Sequence, residues 1–388
     1  MVRADPAASL SIKQLLMVMV RKSASDLYIS TGFPPAFRIN GVVFPMKYEP
    51  LEAITCEQLA LSCMSEKQRA IFATEFEMNL ALSYPEYGRF RVNIFRQRGN
   101  TGMVIRQIKT KIPTVEELNL PGIFKDIAMS RRGLVIVVGA TGCGKSTSLA
   151  AMIDWRNSSQ AGHIITIEDP IEFEHQHKKS VISQREVGTD TLDFKVALKN
   201  ALRQAPDVIL IGEIRDRETM EHALEFAETG HLCMATLHAT NANQAMERIL
   251  NFFPQEMTAQ VALNLALNLK AILSQRLVRT LDKKRRVAVE ILINTPRIGD
   301  LIIKNSISDI KTAMAEGQTY GMQTFDQDLI ALWQQDQISE EEALRHADSF
   351  NDMRLKIKMA KLEGSDENSH LEQLSSGVSL DLDKHEEF

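Results

Sequence analysis

The stretch Gly139-Ala140-Thr141-Gly142-Cys143-Gly144-Lys145-Ser146-Thr147 has the spacing G-x-x-x-x-G-K-[ST], which is chemistry for holding phosphate. Glycines let successive backbone N–H groups turn inward around phosphate oxygens. The lysine then reaches the β- and γ-phosphates, and the Ser146 hydroxyl supplies an oxygen to Mg²⁺. A plain glycine-rich turn could share the pattern. Here an apolar run, Leu134 to Val138, precedes it and a helical segment follows, so that a helix N-terminus faces the anion. Binding of ATP with Mg²⁺ is the expectation. Cys143 has two readings: a supplier of backbone N–H alone, or a thiol activated near the helix N-terminus and shielded by nucleotide.

Phosphate chemistry also needs carboxylates, and strand position decides which can take part. In a parallel α/β sheet, ligands lie beyond the carboxyl ends of the strands. Val208 to Ile211 is preceded by Asp207 and followed by Gly212-Glu213. Glu213 is therefore at the nucleotide end, suited to organising Mg²⁺ and water, and Asp207 is expected to cap or pair locally at the other. The strand Ile164 to Ile167 runs into Glu168-Asp169-Pro170-Ile171-Glu172. A third strand carries His231 at its start and His238 at its end. Seven steps of about 3.3 Å separate them by roughly 23 Å, so His238 alone can sense a γ-phosphate in its own subunit. His231 is left to packing or to a subunit contact.

Stepping outward to the elements, strands alternate with amphipathic helices from Gly133 onward, the pattern of a parallel sheet covered by helices. Before that, Leu10 to Lys22 has helical spacing, and Asp26 to Ile29, Phe37 to Val42, Gly88 to Phe95 and Met103 to Arg106 read as strands. The expected order is an α+β domain over 1–107, a linker over 108–116, an ATPase domain over 117–362 with a helical C-terminal part, and a disordered acidic tail over 363–388. Thr114-Val115-Glu116-Glu117 reads as a capped helix start. Along the Gly88 to Phe95 strand, Arg89, Arg91 and Asn93 share one face, and Phe90, Val92 and Ile94 the other. Arg106 lies on the following strand.

Composition narrows the classes. With 388 residues, 44% apolar and 24% charged, the chain is long enough for two domains and is globular. A net charge of -5 gives no global reason to bind nucleic acid. The apolar stretch near the N-terminus is too short for a signal peptide, and none approaches the roughly 20 residues that span a bilayer. Four scattered cysteines suggest neither a zinc site nor disulfides, so a soluble protein of the reducing cytoplasm, without membrane insertion, is expected.

Four motifs, Gly139 to Thr147, Ile164 to Phe173, Asp207 to Asp216 and Glu228 to His238, resemble in order and spacing the Walker A, Asp box, Walker B and His box of secretion ATPases. Similarity to the type IV pilus retraction branch, the PilT/PilU family, runs from about Ile12 through Ala347 and includes Ser25-Asp26-Leu27. The resemblance implies a RecA-like P-loop domain with a smaller PAS-like N-terminal domain. It implies a homo-hexamer at the cytoplasmic face of the inner membrane, with ATP between neighbouring protomers and a pilus platform protein as partner. It also implies that Glu172 activates water and that Arg89, Arg91 and Arg106 contact phosphate; for any one arginine, a solvated cationic face is the competing reading.

Assembly ATPases of that superfamily carry extra N-terminal domains and a four-cysteine element, which this sequence lacks. The PilT motif Ala-Ile-Arg-Asn-Leu-Ile-Arg-Glu aligns with Arg297-Ile298-Gly299-Asp300-Leu301-Ile302-Ile303-Lys304, losing both arginines and reversing the last charge. The chain resembles the PilU-like members more, which implies work beside a PilT-like retraction ATPase. Two readings stay open: an active motor subunit, or a nucleotide-gated scaffold whose own hydrolysis is dispensable.

Overall fold

The computed structural model describes residues 10–39, 41–108 and 111–362. The expected acidic tail over 363–388, and Lys109 and Thr110 of the expected linker, lie outside the described residues. Two compact units divide the chain: residues 1–114 with 146–235, and residues 115–145 with 236–388.

The first unit contains a wholly antiparallel sheet of β1 (Asp26–Ile29), β2 (Ala36–Ile39), β3 (Val42–Pro45), β4 (Glu77–Tyr84), β5 (Gly88–Gln97) and β6 (Asn100–Gln107), in the order β3-β2-β1-β6-β5-β4. Alternation sorts its two faces. Leu27, Ile29, Phe90, Val92, Ile94, Met103 and Ile105 are buried in one core with Leu15, Leu16 and Met19 of the helix Ile12–Arg21. That helix starts at Ile12, two residues later than expected from Leu10, because Ser11 and Gln14 form a reciprocal capping box ahead of it. The other face carries the polar set.

The chain enters β7 (Gly133–Gly139) by a route the sequence misleads on. The helix expected from Thr114 does not form; residues 115–119 are turns, and the helix begins only at Ile123 and runs to Ala128. Asn119 is left-handed (φ 54°) and Pro121 follows, while Val115 is buried and its carbonyl accepts the Leu120 N–H. Burial of Val115 inside a turn overrides the capping signal.

Seven further strands carry the nucleotide motifs: β7, β8 (Gly162–Glu168), β9 (Ser180–Glu186), β10 (Val208–Ile211), β11 (Leu232–Leu237), β12 (Leu269–Arg279) and β13 (Arg285–Ile293). In the first unit β9, β8, β10 and β11 run parallel in that order, with Ile167, Ile211 and Ala235 in register. The carboxyl ends of β8 and β10 therefore lie within one residue of each other, and β11 runs two residues beyond β10. In the second unit β7 lies parallel to β12, which pairs antiparallel with β13. All seven residues of β7 and all four of β10 are buried, as expected for strands covered on both faces.

Candidate functional site

The P-loop is a backbone construction. Gly139 ends β7 at φ 149°, and a Cβ there would lie 2.5 Å from both the Cys143 sulfur and the Gln275 carbonyl oxygen, so only glycine fits. Gly142 and Gly144 are left-handed and the Cys143 N–H closes a turn onto Ala140 O at 3.2 Å. The helix Lys145–Ser159 starts directly after this turn. Lys145 is 9% exposed, and its ammonium donates to the carbonyls of Gly139 (2.8 Å) and Ala140 (3.1 Å). Its charge is thus held over the loop. Burial pushes the Cys143 thiol pKa up despite Lys145 nearby, the opposite of an activated thiol, and its sulfur packs against Gly139.

The carboxylates sit where strand polarity puts them. Glu213, beyond the end of β10, pairs with Arg215 Nε at 2.7 Å, and Arg215 reaches Asp169 Oδ2 at 3.3 Å. One arginine thereby ties the ends of β10 and β8 together, a role sequence reading did not assign; its signal was only the charge two residues after Glu213. Gly212 allows those ends to close, since a Cβ would come within 3.1 Å of the Glu168 backbone. Glu168 accepts from Thr166 Oγ1 (2.6 Å) and Gln184 Nε2 (3.2 Å). Burial pushes its pKa up to about 7, against the pull of those donors and of the Glu172 N–H. Glu172 itself is exposed.

Glu172 shares a cavity of about 200 Å³ with Thr147, Pro170, Ile171, Phe173, Ile108, Gln107, Arg91 and Arg106. Glu172 lies 81 positions from Arg91 and 66 from Arg106 in sequence; the fold brings the carboxylate and both arginines to one cavity. Arg106 is held by Asp26 at 2.8 Å, a partner sequence reading quoted without a role. Arg89 does not line the cavity: its carbonyl accepts the Ile108 N–H at 2.8 Å, and its Nε is buried without a partner. His238 borders a different hollow, with Gln244, Glu247, Arg248 and Asn251. At the far end of β11, His231 Nδ1 meets Thr229 Oγ1 (3.1 Å) and Phe226 O (3.2 Å), a local turn contact. Asp207 accepts the His163 N–H of β8, 44 positions away, at 2.8 Å, rather than capping locally.

The donor set suits a magnesium nucleotide. Ser146 and Glu213 offer hard oxygen ligands, and among the described residues no group of three or more His, Cys, Asp or Glu gathers as a cage of its own. Mg²⁺ is commonly held by one or two protein oxygens plus phosphate oxygens.

Residues 3–365 match the family described as type II/IV secretion system protein. Over 374 residues, 96% of this chain and 97% of the relative, the sequence is 54% identical to the type IV pilus ATPase PilU of Pseudomonas aeruginosa. It is 43% identical over 338 residues, 87% of this chain and 98% of the relative, to the type IV pilus retraction ATPase PilT of that organism. The crystal structure of the pilus retraction motor PilT with bound ADP superposes with a TM-score of 0.83 at 39% identity, covering 88% of this chain and 98% of that one.

Proposed function

The chain belongs to the type II/IV secretion system protein family, and within it we propose a PilU-like ATPase that serves type IV pilus retraction beside a PilT-like motor. ATP hydrolysis follows from the family and from the P-loop, where Lys145 is already held over the loop by two carbonyls. The observation that carries the mechanism is the cavity that joins Glu172 to Arg91 and Arg106.

In this reading the loop N–H groups and Lys145 hold the phosphates. Ser146 and Glu213 would hold Mg²⁺, which would supply positive charge to the phosphate oxygens. Glu172, exposed at the cavity, takes the proton of the attacking water, and Arg91 and Arg106 stabilise the charge of the transferring group. Arg215 holds Glu213 and Asp169 in a fixed relation, so Glu213 orients water without reorganising. His238 senses the γ-phosphate, and Arg89 supports the arginine wall.

The protomer comprises the smaller domain to residue 107, the linker 108–116 and the ATPase domain 117–362, assembled as a homo-hexamer at the cytoplasmic face of the inner membrane against the pilus platform protein. The accessory assignment rests on the helix Pro296–Ile303. There Arg297, which stands where the aligned retraction motif has alanine, is paired with Glu316 at 2.5 Å. The test is ATP turnover of the purified chain, alone and with a PilT-like partner. Lys145→Ala and Glu213→Ala should each abolish turnover, and cells lacking the partner should lose retraction. Turnover persisting in both variants would refute the site. Retraction persisting in cells that carry only Lys145→Ala would favour the scaffold reading.

A further inference from the structure

Cross-strand register sets Arg38, Asp26, Arg106 and Arg91 side by side on β2, β1, β6 and β5. Arg91 and Arg106 stand directly opposite each other, an arrangement that is unfavourable in a sheet unless an anion offsets it. Asp26 is that anion. Its side chain, 4% exposed, receives Arg106 Nε at 2.8 Å and Arg38 Nε at 3.5 Å, and the Ser25 hydroxyl donates to it at 2.8 Å.

The two arginines on Asp26 are held unequally. Arg38 also donates to the Tyr28 hydroxyl at 2.7 Å and to Gly41 O at 3.5 Å, and lies over the Tyr28 ring at 5.4 Å. Arg106 has Asp26 as the sole partner of its guanidinium among the described residues, is 68% exposed, and borders the Glu172 cavity. Stripping a buried carboxylate of its cation leaves a charge uncompensated, which is strongly unfavourable. Here Arg38 remains if Arg106 leaves.

We propose that Asp26 is a positioning residue for ATP hydrolysis: it holds Arg106 at the cavity rim and releases it to the transferring phosphoryl group, while Arg38 stays to neutralise the buried carboxylate. The inference rests on the arginine roles given under the proposed function. It assigns to Asp26 and Arg38 a part in turnover that neither plays by contact with nucleotide.

The experiment is a double-mutant cycle in the full-length chain, reading kcat, KM and melting temperature. Arg106→Ala should lower kcat about 100-fold, a modest share of what an arginine can supply to phosphoryl transfer. Asp26→Asn should lower kcat about 10-fold and leave KM within about twofold, because it disturbs a group that acts in the transition state. In the Arg106→Ala background, Asp26→Asn should cost nothing more in kcat, whereas a purely structural role would cost the same in both backgrounds. Asp26→Glu should recover much of the loss. Should Asp26→Asn not fold, Arg38→Gln, at a 40% exposed side chain, carries the same test: slower turnover in the parent and no further loss beside Arg106→Ala. Additive losses overturn the proposal and leave the site reading standing. An unchanged kcat in Arg106→Ala removes the arginine role and the proposal together.

Discussion

The P-loop and the arginine row are both proposed to serve phosphate, yet one is made of backbone and the other of formal charge. In the loop, neutral N–H groups are aimed by glycines at φ angles other residues rarely adopt, and a single lysine supplies the charge. All of it lies within nine consecutive residues. The row is assembled from four strands whose residues span Asp26 to Arg106, and one carboxylate, Asp26, is shared by two of its three arginines, Arg38 and Arg106. A site built from backbone is rigid and costs little electrostatically. One built from opposed arginines stores repulsion that an incoming anion relieves, and so it is suited to respond to nucleotide as well as to hold it.

The sharpest way to break this contrast is Gly139→Ala. Its Cβ would meet the backbone oxygen of Gln275 at 2.5 Å, a neighbour that cannot swing aside. Nucleotide affinity should fall on the order of 100-fold or more as the loop is forced off its geometry, measured by titration with a fluorescent ATP analogue. Near-parental binding would show that the loop is not governed by backbone. Next in size, Arg91→Ala should lower kcat about tenfold while the melting temperature holds or rises slightly, because a like-charge pair opposite Arg106 is removed. A fall in both together would mean that the row is a structural element and not a strained one.

The smallest effect concerns Glu168, whose folded pKa is raised to about 7 from 4.5 by burial. A carboxyl raised in the folded state binds its proton more tightly there than in the unfolded chain. The contribution of Glu168 to stability is therefore fully present below about pH 4.5 and is lost as pH climbs through about 7. Glu168→Gln should melt a few degrees, roughly 2–4 °C, above the parent at pH 8, with the gap closing toward pH 5. A gap that does not change with pH would mean that ionisation of Glu168 plays no part.

The same division explains what could be read from sequence. The positions of Lys145 and Ser146 at the start of their helix, and of Glu213 and Asp207 at opposite ends of β10, were legible because a motif, or a residue's end of a strand, is a local fact. So was the face of β5, since Phe90, Val92 and Ile94 alternate with the arginines and are fully buried. The carboxylate that holds Arg106 was not legible, because Asp26 lies 80 positions away and only register brings them together. Arg215 was quoted within its motif, yet its bridge to Asp169 depends on β8 and β10 ending within one residue of each other. At residues 115–119 a good capping signal failed because Val115 is buried in a turn, a tertiary demand that no local pattern records.

On β1, Asp26 alternates with Leu27, and on β6, Arg106 alternates with Ile105; the leucine and isoleucine are wholly buried. A slip of one residue between these strands would carry Asp26 into the core and Leu27 into water, which folding does not tolerate. The hydrophobic core thus acts as a proofreader for the charges on the opposite face. A chain that has folded at all has its ion pairs in frame, and polar substitutions at the buried Leu27 or Ile105 would be expected to strike catalysis by way of alignment.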